Sequence, residues 1–105
     1  MSEKAARFNE VLVKSIDLAI TELLGEKVLA SLYEHFAEHY NITRDEIPYR
    51  LDTLYTALDQ TFGFKAARTL EHHIAKRLSN QISVPLPETP DYTLQTYLQK
   101  AKDLV

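Results

Sequence analysis

Only two of the 105 residues are glycine, and each stands where a run of apolar residues at helical spacing comes to an end. A glycine so placed can take the positive φ that closes a helix, so Gly25 and Gly63 are read as corners between consecutive helices. From Phe8, the apolar residues Val11, Leu12, Ile16, Ala19 and Leu23 recur at intervals of three and four, which is one face of an α-helix. After Gly25, Val28, Leu29, Leu32, Tyr33, Phe36 and Tyr40 form a second stripe, with Glu34 and Glu38 on the opposite side. Leu51, Leu54, Tyr55, Leu58 and Phe62 lead into Gly63 in the same way. Beyond it Ala66, Ala67, Leu70, Ile74, Leu78 and Gln81 mark a fourth helix from about Phe64 to Gln81, whose small first residues favour close approach to the third.

The joints between these runs are equally legible. Asn41 can stop the second helix, and Thr43 with Glu46 has the spacing of a capping box, which predicts a short helical turn. Pro48 either ends that turn or opens the third helix, where its missing N–H is harmless. Pro85, Pro87 and Pro90 then forbid both a helix interior and a central strand. Past them, Thr89 is a candidate N-cap and Pro90 a candidate first helical residue, and Leu94, Tyr97, Leu98, Ala101 and Leu104 form a fifth stripe. The predicted architecture is all-α: a compact bundle of four main helices over residues 1–83, a proline-rich linker over 84–90, and a C-terminal amphipathic helix over 91–105. That last helix is expected to dock on its own chain or on a neighbouring one.

Composition narrows the function classes. With 45% apolar and 26% charged residues the chain is neither disordered nor fibrous, and 105 residues can bury a core without a disulfide or metal staple. The absence of cysteine removes disulfides, zinc thiolates and thiol catalysis together, and fits a reducing compartment. The charged start "MSEKAARFNE" lacks the apolar core of a secretory signal, and no apolar run approaches the ~20 residues of a membrane span. A cytoplasmic protein is expected, without membrane contact. A net charge of -3 gives no whole-chain attraction to phosphate backbones, so nucleic-acid binding would need a local patch.

Four chemistries can be placed on particular residues. His35, Glu38 and His39 have the His-x-x-Glu-His spacing that supplies two ligands and a base in one class of zinc peptidases. A catalytic zinc needs a third protein ligand, and Glu71, His72 and His73 on the fourth helix carry no motif that marks one, so a metal-dependent hydrolase is the least favoured reading. "EHHIAKR" invites a phosphotransfer reading of its histidines, without the groove pattern that docks a receiver. Lys65, Arg68, His72 and Lys76 share one side of the fourth helix, a basic stripe with the geometry to follow phosphates. Glu71 and Arg77 border the core face of that helix and could form a partly buried pair. No serine sits in a nucleophile elbow, and no cofactor motif is present.

The corners and the joint between them resemble a known family. Leu24 and Gly25, Tyr33 and His35, Ile42, Glu46, Ile47 and Pro48, Ala57 and Leu58, and then Phe62, Gly63, Ala67 and Glu71 follow the pattern of a family of short archaeal all-helical domains of unknown biochemical function. That family is described as an output domain in ammonia-oxidising archaea, and the resemblance covers about residues 20 to 80. It implies an all-helical fold and a regulatory or signalling setting. It includes neither His39 nor the segment after Asn80.

The leading expectation is a non-enzymatic helical interaction module that self-associates as a homodimer or higher assembly. Its contact residues would be Tyr92, Leu94, Tyr97, Leu98, Ala101 and Leu104 of the fifth helix, since tyrosine and leucine on a tethered amphipathic helix can anchor a partner. The alternative is a nucleic-acid-binding regulator using Lys65, Arg68, His72 and Lys76.

Overall fold

A computed structural model describes residues 3–89 and 91–104, the side chain of Lys4 excepted. The chain forms α1 (Glu3–Leu24), α2 (Glu26–Tyr40), a 3-10 helix (Arg44–Tyr49), α3 (Leu51–Phe62), α4 (Phe64–Ile82) and α5 (Leu94–Leu104), with no strand among the described residues. The predicted all-α architecture is therefore the observed one. The radius of gyration is 13.1 Å, the value of about 13 Å expected for a compact chain near this length. Helix α5 thus lies against the body instead of extending from it.

The two glycines build the same corner. Gly25 has φ 96° and ψ 161°, and Gly63 has φ 83° and ψ 163°, a region of backbone space that is essentially restricted to glycine. In both, the amide closes one helix and the carbonyl opens the next. Gly25 donates to Thr21 and accepts from Leu29, at 2.9 and 3.1 Å, and Gly63 donates to Asp59 and accepts from Ala67, both at 2.9 Å. One residue thereby serves as the end of one helix and the start of another, with no loop between.

At the second joint, Asn41 takes the left-handed conformation at the end of α2 (φ 51°), which asparagine tolerates better than most residues. The Glu46 carboxylate accepts both the Thr43 amide, at 2.9 Å, and the Thr43 hydroxyl, at 3.0 Å. These bonds, the backbone one first, hold the Glu46 carboxyl below its ordinary range. The expected turn is a six-residue 3-10 helix, and Pro48 lies inside it instead of opening α3. Ile42 and Ile47, on either side of the cap, are buried and pin this segment to the core.

The most extensive helix contact joins α1 to α4, the two longest helices, more than either glycine-linked pair. Leu12, Ile16, Ala19 and Ile20 of α1 and Ala67, Leu70, Ile74, Ala75 and Leu78 of α4 belong to one continuous buried cluster. Buried alanines on both helices let the backbones approach. Of the two small residues expected to serve the α3–α4 contact, Ala67 is buried and Ala66 is exposed. The seam also carries polar ties: Glu22 of α1 contacts Arg77 of α4, and its other oxygen lies 3.6 Å from His73 Nε2. Across the α1–α2 side, the Tyr33 hydroxyl donates to Asp17 at 2.5 Å, and Arg44 grips the same carboxylate through Nε and Nη2. Burial and the Asp17 bond push the Tyr33 hydroxyl far above the ordinary tyrosine range.

Besides Ala66, three residues placed on the core stripes of α1, α2 and α4 lie elsewhere. Leu23 is 46% exposed, Val28 is 40% exposed, and Gln81 is exposed. Leu23 and Val28 flank the Gly25 corner, where the turning chain projects beyond the helices that would cover it. Gln81 sits in the last turn of α4, where Leu78 and Ile82 are the residues that face the core.

Candidate functional site

The end of α4 and the start of α5 show how the C-terminal segment is held. Ser83 stops α4 in the left-handed conformation (φ 60°). The Val84 carbonyl then accepts two hydroxyls, Ser79 at 2.8 Å and the fully buried Tyr97 at 2.7 Å. Helix α4 ends at Ile82 and α5 starts at Leu94 instead of residue 91, so the connection between them is longer than the predicted 84–90 linker. The reason is that the cap lies at Thr93 and not at the expected Thr89. Thr93 and Thr96 bond reciprocally, each side-chain oxygen accepting the other's amide at 3.1 Å, so Thr93 is the N-cap. The expected role of Pro90 as first helical residue lies outside the described residues.

Leu94, Tyr97, Leu98 and Ala101, expected as contacts for another chain, are all buried within this one. Helix α5 packs on α4, whose apolar face offers those four side chains the nearest place out of water. Tyr92 is half-buried, its ring stacked on His72 at 4.6 Å between centroids. Leu104, 61% exposed, alone of the six keeps a mostly open surface.

Beneath the first turn of α5 lies Glu71, 2% exposed and, with Ser15, one of two polar side chains in the core among the described residues. Ser15 is satisfied by the Val11 carbonyl at 2.9 Å. Glu71 accepts the backbone amide of Leu94, an orphan donor of the α5 N-terminus that the Thr93–Thr96 pair leaves unserved. Its partner in charge is Arg68, one turn earlier, with Nη2 2.7 Å from Oε2. The expected pairing of Glu71 with Arg77 does not form. Six residues apart on a helix they point to different sides, whereas three residues apart Arg68 and Glu71 are neighbours. Arg77 turns instead to Glu22. Burial raises the Glu71 carboxyl above its ordinary range; Arg68 opposes that shift, and Asp59 reinforces it. Nearby, the buried Tyr55 hydroxyl has no hydrogen-bond partner among the described residues, and burial together with the Glu71 charge pushes it well up.

These contacts divide the basic stripe. Arg68 contacts Asp59 and Glu71 and lies 5.0 Å over the Phe64 ring. The Nε2 of His72 is 2.8 Å from the Tyr92 carbonyl; a carbonyl only accepts, so that nitrogen carries the proton and donates. Lys65 and Lys76 are exposed and make no ion pair among the described residues. Two of the four residues of the stripe, Arg68 and His72, thus hold the fold at the α3–α4–α5 junction, and two remain on the surface.

The His35-x-x-Glu38-His39 stretch sits at the end of α2, with the two imidazole rings 4.5 Å apart between centroids. Glu38 and His39 are exposed. Among the described residues no group of three or more His, Cys, Asp or Glu side chains comes within reach of one metal ion. His35 instead forms part of an open groove between α2 and the end of α3, lined by Val28, Ser31, Leu32, His35, Thr61 and Phe62. That groove is mostly apolar. Beside it lie Val28 itself and the rest of the Gly25 corner, Leu23 and Leu24, each 40–46% exposed. Helical spacing alone puts Leu23 and Val28 on the core stripes and so does not show this surface. The available signal is apolar residues on both sides of a glycine corner.

No helix among the described residues is long and apolar enough to cross a membrane. Comparison with protein-family models, with curated proteins and with solved structures finds no match for this chain.

Proposed function

We propose that this chain is a non-enzymatic helical interaction module that associates with a second copy of itself through the apolar corner of Leu23, Leu24 and Val28. The observation that carries the reading is that Leu23, Leu24 and Val28 are all exposed about one glycine corner and that Val28 also lines the groove with Leu32, His35 and Phe62. Exposed apolar side chains grouped at one place on a surface are a usual mark of a protein contact. The origin of this group in a corner, where a rigid glycine joint presents side chains from two helices, suits a preformed contact surface. The two buried polar side chains support the non-enzymatic part, since Ser15 and Glu71 both serve backbone groups of the fold. The archaeal resemblance supports a regulatory setting.

Sedimentation equilibrium over a wide concentration range tests the reading. Self-association is expected for the native sequence and is lost in Val28→Asp and Leu24→Asp, with helical content unchanged. A native chain that stays monomeric up to millimolar concentration overturns it, as do variants that associate as the native chain does.

A further inference from the structure

The second inference is independent of the apolar corner and starts from the four histidines. Two of them are engaged: His72 donates to the Tyr92 carbonyl, and His73 lies against Glu22 across the α1–α4 seam. The other two, His35 and His39, stand four residues apart near the end of α2. Among the described residues no hydrogen bond or ion pair holds either ring. A step of four residues on a helix sets two side chains one above the other on the same face. Here the ring centroids are 4.5 Å apart and the planes are tilted by 42°, so the rings fan apart instead of stacking.

That separation has a chemical meaning. A metal–imidazole bond of about 2.0–2.1 Å puts an ion about 3.2 Å from the centroid of each ring that binds it. Two rings at neighbouring positions of a square or octahedral ion, about 90° apart, then have centroids about 4.5 Å apart, whereas on a tetrahedral ion the separation is about 5.2 Å. The spacing in α2 matches the first of these. Neutral imidazole suits nickel, copper and zinc ions, and among these the square or octahedral geometries belong to Ni2+ and Cu2+. We propose that His35 and His39 form a two-imidazole site for a divalent late transition-metal ion of the Ni2+ or Cu2+ class.

The surroundings favour a cation there. His39 lies in the last turn of α2, where unpaired carbonyls give the helix end a partial negative charge. Glu34 and Glu38, both exposed on the same helix, add negative charge around the approach. The His35 ring is seated beside Phe36 and Tyr40, at 6.2 and 6.0 Å between centroids, and the Tyr40 hydroxyl donates to Gln60 at 2.6 Å. One ligand is thus positioned by packing, and the exposed His39 turns to meet the ion. No third His, Cys, Asp or Glu among the described residues comes within reach, so water completes the coordination. The site holds an ion on the surface and is distinct from the three-ligand centre of a zinc hydrolase.

Isothermal titration calorimetry of the intact chain with Ni2+, in a buffer that does not bind metals, tests the site. One ion per chain is expected, with an affinity at least about tenfold weaker in His39→Gln, because the second imidazole no longer binds within the same molecule. His39 is exposed, so this variant keeps the fold, which circular dichroism checks. Mg2+, which takes oxygen ligands, is expected not to bind. Cu2+ supplies the location, since its paramagnetism broadens nearby NMR signals: the amides of His35, Phe36, His39 and Tyr40 should broaden before those of His72 and His73. The site is overturned if Ni2+ fails to bind below millimolar concentration, or if His39→Gln binds it as the native chain does. Equal binding of Mg2+, which would place the ion on Glu34 and Glu38 alone, overturns it too, as does broadening by Cu2+ that begins elsewhere.

Discussion

Replacing either corner glycine with alanine isolates the energetic worth of a backbone conformation. An added Cβ at Gly25 or Gly63 meets no atom within 4 Å, so the perturbation contains no packing clash. What remains is φ of 96° or 83° with an extended ψ, which disfavours a residue with a side chain by about 1–3 kcal/mol. Loss of glycine's freedom in the unfolded chain returns about 0.4–1 kcal/mol. The balance is a destabilisation of about 1–2 kcal/mol, and at about 4–8 °C per kcal/mol for a domain near this size the melting temperature falls by roughly 5–15 °C. Urea unfolding followed by far-UV circular dichroism measures it, with Gly25→Ala and Gly63→Ala expected to agree because the two conformations do. A chemically synthesised chain with D-alanine at position 25 should be at least as stable as the native one, since its handedness suits positive φ. If L-alanine and D-alanine have the same effect, or Gly25→Ala is within about 0.5 kcal/mol of native, a level usual for neutral surface changes, the argument from backbone geometry fails.

Four further outcomes are expected. Thr93→Ala removes the α5 cap and should lower stability by about 1 kcal/mol, whereas Thr89→Ala should leave it unchanged, as read by the same unfolding curves. Tyr33→Phe leaves Asp17 with Arg44 but removes a short charge-assisted bond, which should destabilise by about 1.5–3 kcal/mol. Because folding raises the Glu71 carboxyl, the native chain should gain stability relative to Glu71→Gln as pH falls from the raised value toward 4.5, and no more below it; parallel pH profiles of the two proteins would refute this. Ile74→Ala, at the fully buried centre of α4, should destabilise by about 2–5 kcal/mol in thermal unfolding.

The elements were legible because helix punctuation is local. Gly25, Asn41, the Thr43–Glu46 box and Gly63 act on backbone groups within four residues, so their spelling in the sequence carries their meaning. Pairing between helices is not local. Nothing in the spacing shows that α1 packs most extensively on α4, and the neighbour-to-neighbour packing suggested by the corners is the lesser contact. The start of α5 was misplaced because Thr89 followed by proline imitates a cap, while Thr93 and Thr96 form a box without the usual glutamate. The site residues fared according to the same divide. Lys65, Arg68, His72 and Lys76 do share one side of α4, but only the tertiary structure brings Asp59 and the Tyr92 carbonyl to two of them. Glu71 was recognised as a border residue and given the wrong cation, since its role at the α5 amide depends on where a distant helix docks.

The dominance of the α1–α4 contact bears on how the protein is made. During synthesis α1 emerges first, yet the helix that covers Leu12, Ile16 and Ile20 is not complete until the chain has passed Ile82. Until then the nascent α1–α3 segment carries an uncovered apolar face, held in a fixed bend by Gly25. Newly made chains on neighbouring ribosomes are thus exposed to one another through the same surface that later becomes the interior, and a chaperone that binds short apolar helices would find its substrate during that interval.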